Sequence, residues 1–134
     1  MNKFTKAMII VMMLALPAVG QCADPGSNVK KSSAEKVYKV SELYRGMATL
    51  DKQKVTVRGK VVKVLVGIMN RNWIHLQDGS GTPGMQDNDL TVTTAQGLPT
   101  VGKIVTVTGT LTKDKDFGSG YFYKVIVEDA TIKP

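Results

Sequence analysis

From Lys54 onward the apolar residues recur with a period of two. Val55, Val57, Gly59 and Val61 alternate with Thr56, Arg58 and Lys60, which predicts a strand with its valines inward and two bases outward. Gly59 interrupts that strand, and after Val61 and Val62 the alternation resumes out of phase through Val64, as expected where a glycine or bulge lets a strand coil sharply. A second strand is predicted from Asn72 to Asp78, with Ile74 and Leu76 on one face and Trp73, His75 and Gln77 on the other; the turn sequence Asp78-Gly79-Ser80-Gly81 closes it. Leu90 and Val92 alternate with Thr91 and Thr93 in a third. The fourth, Gly102 to Thr112, sets Val105, Val107 and Leu111 against Thr106, Thr108 and Thr110, and the fifth, Tyr121 to Ala130, sets Val125 and Val127 against Ile126 and Glu128.

Ahead of these strands the period is helical. Val37 to Val40 reads as a short extended piece, after which Ser41 stands at an N-cap position, Glu42 in the first turn, and Leu43, Met47 and Leu50 at helical spacing. One short amphipathic α-helix results. Gly46 weakens it, so it depends on packing against something larger. Residues 24–35, polar and containing Pro25 and Gly26, read as a flexible spacer. Residues 1–23 read as a signal peptide: Lys3 and Lys6 precede the apolar run Ala7 to Leu16, and Pro17-Ala18-Val19-Gly20 supplies a small-residue exit, with cleavage within residues 20–23. Cys22 is a poor lipid acceptor because Gln21, not a small residue, precedes it. The expected product is exported, periplasmic or secreted, with no membrane span. Five strands in residues 36–134 are too few for two stacked sheets and predict an all-β domain, a five-stranded barrel preceded by the helix.

Composition narrows the chemistry. In 134 residues, 43% are apolar and 22% charged, which suits one packed domain. Removing Lys3 and Lys6 from the 18 basic residues leaves 16 against 11 acidic ones, a formal charge of +5. The surplus is uneven: residues 30–63 hold ten Lys or Arg and three acids, whereas residues 64–134 hold six against seven. An anionic partner accounts for that asymmetry, as does a basic surface that only keeps an exported protein soluble. His75 is the only histidine and Cys22 the only cysteine, so histidine-rich metal catalysis, cysteine-cluster zinc sites and disulfide frameworks are excluded. No phosphate-binding glycine loop, dinucleotide fingerprint or haem-attachment motif occurs. Asp114-Lys115-Asp116-Phe117-Gly118 opens like a calcium loop but lacks the third acidic ligand and the closing Glu, so it reads as a solvated hairpin tip. No enzyme, metal or cofactor is expected.

The strand order, the glycine-interrupted first strand and the run Leu76-Gln77-Asp78-Gly79-Ser80-Gly81 before Leu90-Thr91-Val92-Thr93 resemble the oligonucleotide/oligosaccharide-binding (OB) fold of the anticodon-binding type, in which a short helix precedes strand one. Asn72-Trp73-Ile74-His75-Leu76-Gln77-Asp78-Gly79 and Lys115-Asp116-Phe117-Gly118 further resemble a group of small exported bacterial OB proteins described as nucleic-acid-binding. The usual helix between strands three and four is reduced to Thr94 to Val101, which contains Gly97 and Pro99, and the N-terminal helix is expected to cover that barrel end. The resemblance implies a ligand lying across strands one to three: Arg58 and Lys60 on phosphates, Trp73 stacking a base, and His75, Gln77, Thr91 and Thr93 alongside. Arg71, in a loop Gly67 to Asn72 that overhangs this face, is the remaining candidate. The ligand would be single-stranded nucleic acid or a similar anionic polymer. The alternative is an accessory module that binds a protein partner in the cell envelope, which export favours; a third reading places haem on His75.

Overall fold

The computed structural model describes Glu35 to Pro134; the expected signal peptide, Cys22 and nearly all of the spacer lie outside the described residues. The described chain is mostly β. Its elements in order are β1 (Val37–Tyr38), α1 (Val40–Arg45), α2 (Met47–Leu50), β2 (Lys54–Ile68), β3 (Arg71–Gln77), a 3-10 turn at Pro83–Met85, β4 (Leu90–Thr94), β5 (Ile104–Asp116) and β6 (Phe122–Lys133). All six strands belong to one sheet in the order β1-β2-β3-β4-β6-β5, and β5 returns to pair with β2. Five strands thereby complete a ring of hydrogen-bonded pairings. Every pairing in the ring is antiparallel except β4 with β6.

The period-two pattern is what fills the inside of that ring. Val55, Val57, Val61, Ile74, Leu76, Leu90, Val92, Val105, Val107, Leu111, Val125 and Val127 share one buried cluster with Val40 and Leu43. The phase break after Gly59 is a bulge: β2 pairs Val61 with Leu76 and then Lys63 with His75, leaving Val62 without an opposite residue. A Cβ on Gly59 would lie 3.1 Å from the Gln77 carbonyl oxygen, so the glycine lets β3 approach closely here. The expected loop Gly67 to Asn72 is tighter than the sequence indicates. β2 runs on to Ile68, and Met69 and Asn70, both at positive φ (53° and 59°), turn the chain directly into β3 as in two-residue hairpins.

The helical segment differs from expectation in two ways. It breaks at Gly46 into two short pieces, and its N-cap is Lys39, not Ser41, which is buried inside the first turn. The cause is tertiary. Asp78 and Ser80, from the turn after β3, accept the N–H groups of Val40 (2.9 Å) and Ser41 (3.0 Å), which otherwise have no partner at a helix start. Burial pushes the Asp78 carboxyl up, but hydrogen bonds from the Ser80 hydroxyl and from the Val40 and Ser80 amides outweigh it and hold Asp78 below its ordinary value. A depressed acid stabilises the fold above the unfolded carboxylate value, about pH 4, and that contribution is lost as pH falls through the folded value. Thermal unfolding of wild type should therefore weaken below about pH 4, and Asp78→Ala should cost about 0.5–2 kcal/mol at neutral pH with a flatter acid limb. An acid limb identical in the two proteins would refute this role for Asp78.

Candidate binding face

β2, β3 and β4 bring most of the sequence-derived candidates onto adjacent rungs of one outer face. Lys60 is opposite Gln77, Lys63 opposite His75, and Leu65 opposite Trp73; across the next gap His75 meets Thr91 and Trp73 meets Thr93. Arg58 lies one outward position before Lys60 on β2. Both side chains are exposed, and neither forms an ion pair among the described residues. They border an open groove of about 540 Å³ with Gly59, Val62, Gln77 and Ile104. Asp78 also borders it, but its carboxylate is turned to the amides of α1 and to Ser80.

His75, Gln77 and Asp89 form a polar unit beside this groove. Asp89 Oδ1 lies 2.7 Å from His75 Nδ1, and Asp89 Oδ2 accepts from Gln77 Nε2 at 3.0 Å. Burial pushes the Asp89 carboxyl up, but these two hydrogen bonds, with Lys63 nearby, more than offset it, so Asp89 titrates below its ordinary value. An ionised carboxylate only accepts, which places the proton on Nδ1 and leaves Nε2 for any further partner. Tyr44 donates its hydroxyl to the Asp89 carbonyl at 2.6 Å; burial, then the charges of Asp89 and Asp87, raise that phenol to about 12. Asp89 thus joins α1 to the face, a role its sequence position did not reveal.

No known protein-family model matches the chain, and no curated protein matches it. What the site can do is read from its geometry.

Two candidates are not presented as expected. Trp73 is 3% exposed and its ring face is not at the surface. Phe117 meets it edge-on at 5.2 Å between ring centres, Tyr123 lies tilted at 5.6 Å, and its Nε1 donates to the Ile68 carbonyl at 2.8 Å. Alternation along β3 does point the indole outward; the far end of the β5–β6 hairpin then folds over it. Arg71 is the second correction. Its guanidinium is exposed but paired with Asp129, and its segment is a tight turn, not an extended loop. Thr91 and Thr93 are on the face but are themselves buried. The exposed aromatic surface lies at the end of the β5–β6 hairpin, on Tyr121 and Phe122. Phe122 borders a second groove with Met85, Asn88, Asp89, Thr91 and Lys124. The aspartates of the hairpin tip are locally used in part, since Asp116 accepts the Gly118 amide at 2.8 Å. Among the described residues no group of three or more acids, His or Cys could hold a metal ion, and no helix is long and apolar enough to cross a membrane.

Proposed function

We propose that this protein is an exported, non-enzymatic OB-fold module that binds single-stranded nucleic acid, or a similar anionic polymer, along the outer face of β2 and β3. The OB reading is supported by a ring order β2-β3-β4-β6-β5 that closes on β2 with β4 and β6 parallel. The observation that carries the functional reading is the open groove flanked by Arg58 and Lys60, cations unpaired among the described residues, beside acids already engaged in structural hydrogen bonds. Outward residues two apart on a strand are about 6.6–6.8 Å from one another, so Arg58 and Lys60 form a linear row suited to successive phosphates of an extended chain. Tyr121 and Phe122 expose rings at the end of the β5–β6 hairpin, outside the lining of this groove, where a longer strand would find further stacking surfaces.

A salt-titrated anisotropy measurement with a single-stranded oligonucleotide tests this. Binding should tighten as salt is lowered, and Lys60→Ala should weaken it while reducing the salt slope by about one, without altering base preference. Absence of binding at low salt, where the phosphate contribution is strongest, would sink the reading. One observation favours the protein-partner alternative. Leu98, Val101 and Ile104 are exposed apolar side chains, and Leu98 and Ile104 border a groove of about 410 Å³ beside Lys103.

A further inference from the structure

The outer face has buried side chains of its own. Trp73 and Ile126 are both buried, yet neither belongs to the core inside the ring. On the same face, opposite Trp73, the Thr93 hydroxyl is buried without a hydrogen-bond partner, in a residue 1% exposed. A buried hydroxyl with no partner is a costly arrangement in a purely structural patch. Opening this face would give that hydroxyl a partner, either water or the edge of a ligand.

The cover is the distal β5–β6 hairpin, through Phe117 and Tyr123. Its attachment to the face is apolar. The tip hydrogen bonds are internal: Phe117 N–H to the Tyr121 carbonyl, Tyr121 N–H to the Gly118 carbonyl, and Gly118 N–H to Asp116. Lys115 pairs with Glu128 of the same hairpin at 3.6 Å. Among the described residues, no hydrogen bond from residues 114–123 reaches β3 or β4. The hairpin can therefore lift from Trp73 with no polar bond to β3 or β4 broken.

We propose that this hairpin is a lid over a stacking subsite for an unpaired nucleobase, with Trp73 and Thr93 as its floor. The inference rests on the nucleic-acid reading and extends it to a specific place. Phosphates held along Lys60 on β2 put the bases toward β3, where Trp73 follows Gln77 and His75 on the same face. An open lid presents the indole plane to the base and the Thr93 hydroxyl, a donor and an acceptor, to its edge. A closed lid lowers apparent affinity by the fraction of molecules that are open.

Trp73 is the sole tryptophan, so its fluorescence reports the lid directly. In the full chain without ligand, acrylamide should quench Trp73 weakly in wild type and several-fold more strongly in Phe117→Ala, with Tyr123→Ala as a second opening variant should the first fail to fold. Oligothymidylate should then quench Trp73 and bind Phe117→Ala about tenfold more tightly than wild type, because the closed fraction no longer competes. Equal acrylamide quenching in wild type and both variants would overturn the lid. Enhanced quenching with unchanged or weaker oligothymidylate binding would overturn the subsite beneath it. Wild-type binding that depends on Lys60 but leaves Trp73 emission unchanged would leave the nucleic-acid reading standing and remove this one, whereas no binding by any variant at low salt would remove both.

Discussion

Gly109→Val is expected to destabilise the domain by on the order of 3 kcal/mol or more, and Gly109→Ala by about 1–3 kcal/mol. A Cβ at this position would lie 2.7 Å from Val127 Cγ1, 2.8 Å from the Glu128 carbonyl oxygen and 3.1 Å from the Ala130 Cα. Two of those three atoms are backbone, so a side-chain rotation cannot relieve the overlap. The crowding has a specific origin. Between β5 and β6 the register passes from Thr108 opposite Thr131 to Thr110 opposite Glu128, so Asp129 and Ala130 together face Gly109 alone. Asp129 takes φ 51° to make this bulge, and its carboxylate receives Arg71. Gly109 also pairs with Val55, at the joint that closes the ring. Urea unfolding checks the expectation, with the midpoint falling by about 1 M or more for valine if the slope is typical of a small domain. Gly59→Val should be milder, because its closest approach is 3.1 Å and to a single carbonyl oxygen. Equal midpoints for Gly109→Val and wild type would contradict this account of the bulge.

Trp73→Ala is expected to cost about 3 kcal/mol, the low end for removing a buried aromatic, because its cover is a hairpin and not the closed core. The loss combines the contacts with Phe117 and Tyr123 and the bond from Nε1 to the Ile68 carbonyl, which also holds the end of β2 near the turn. Trp73→Phe keeps one aromatic ring against Phe117 and Tyr123 but loses part of the indole's packing along with the hydrogen bond, and should cost about 1–2 kcal/mol. Thermal unfolding of both variants should rank alanine below phenylalanine. An alanine variant as stable as wild type would show that the aromatic cluster is not formed in solution.

The ring of strands was readable because each strand keeps one face inside: the valines of β2, Ile74 and Leu76 of β3, and Leu90 and Val92 of β4 declare their direction by parity alone. Even the bulge at Val62 is visible, since two adjacent valines break the phase. Parity also correctly set Arg58, Lys60, Trp73 and His75 on the outer face. Parity sets direction along a strand, and burial depends on what arrives from elsewhere. Trp73 points outward and is covered by rings from residues 117 and 123, more than forty positions later, a contact that no local pattern encodes. Arg71 looked free because its partner Asp129 sits in a bulge whose left-handed residue has no sequence signature of its own. Ser41 had the composition of an N-cap, but Asp78 and Ser80 reach the first helical amides from 38 and 39 residues away and move the helix start to Val40. The sequence by itself thus determined which residues face the core and where the positive charge gathers, since both follow from local periodicity and composition. The tertiary structure alone decided which outward residues remain in contact with water, because that depends on closing the ring and folding the β5–β6 hairpin back across it.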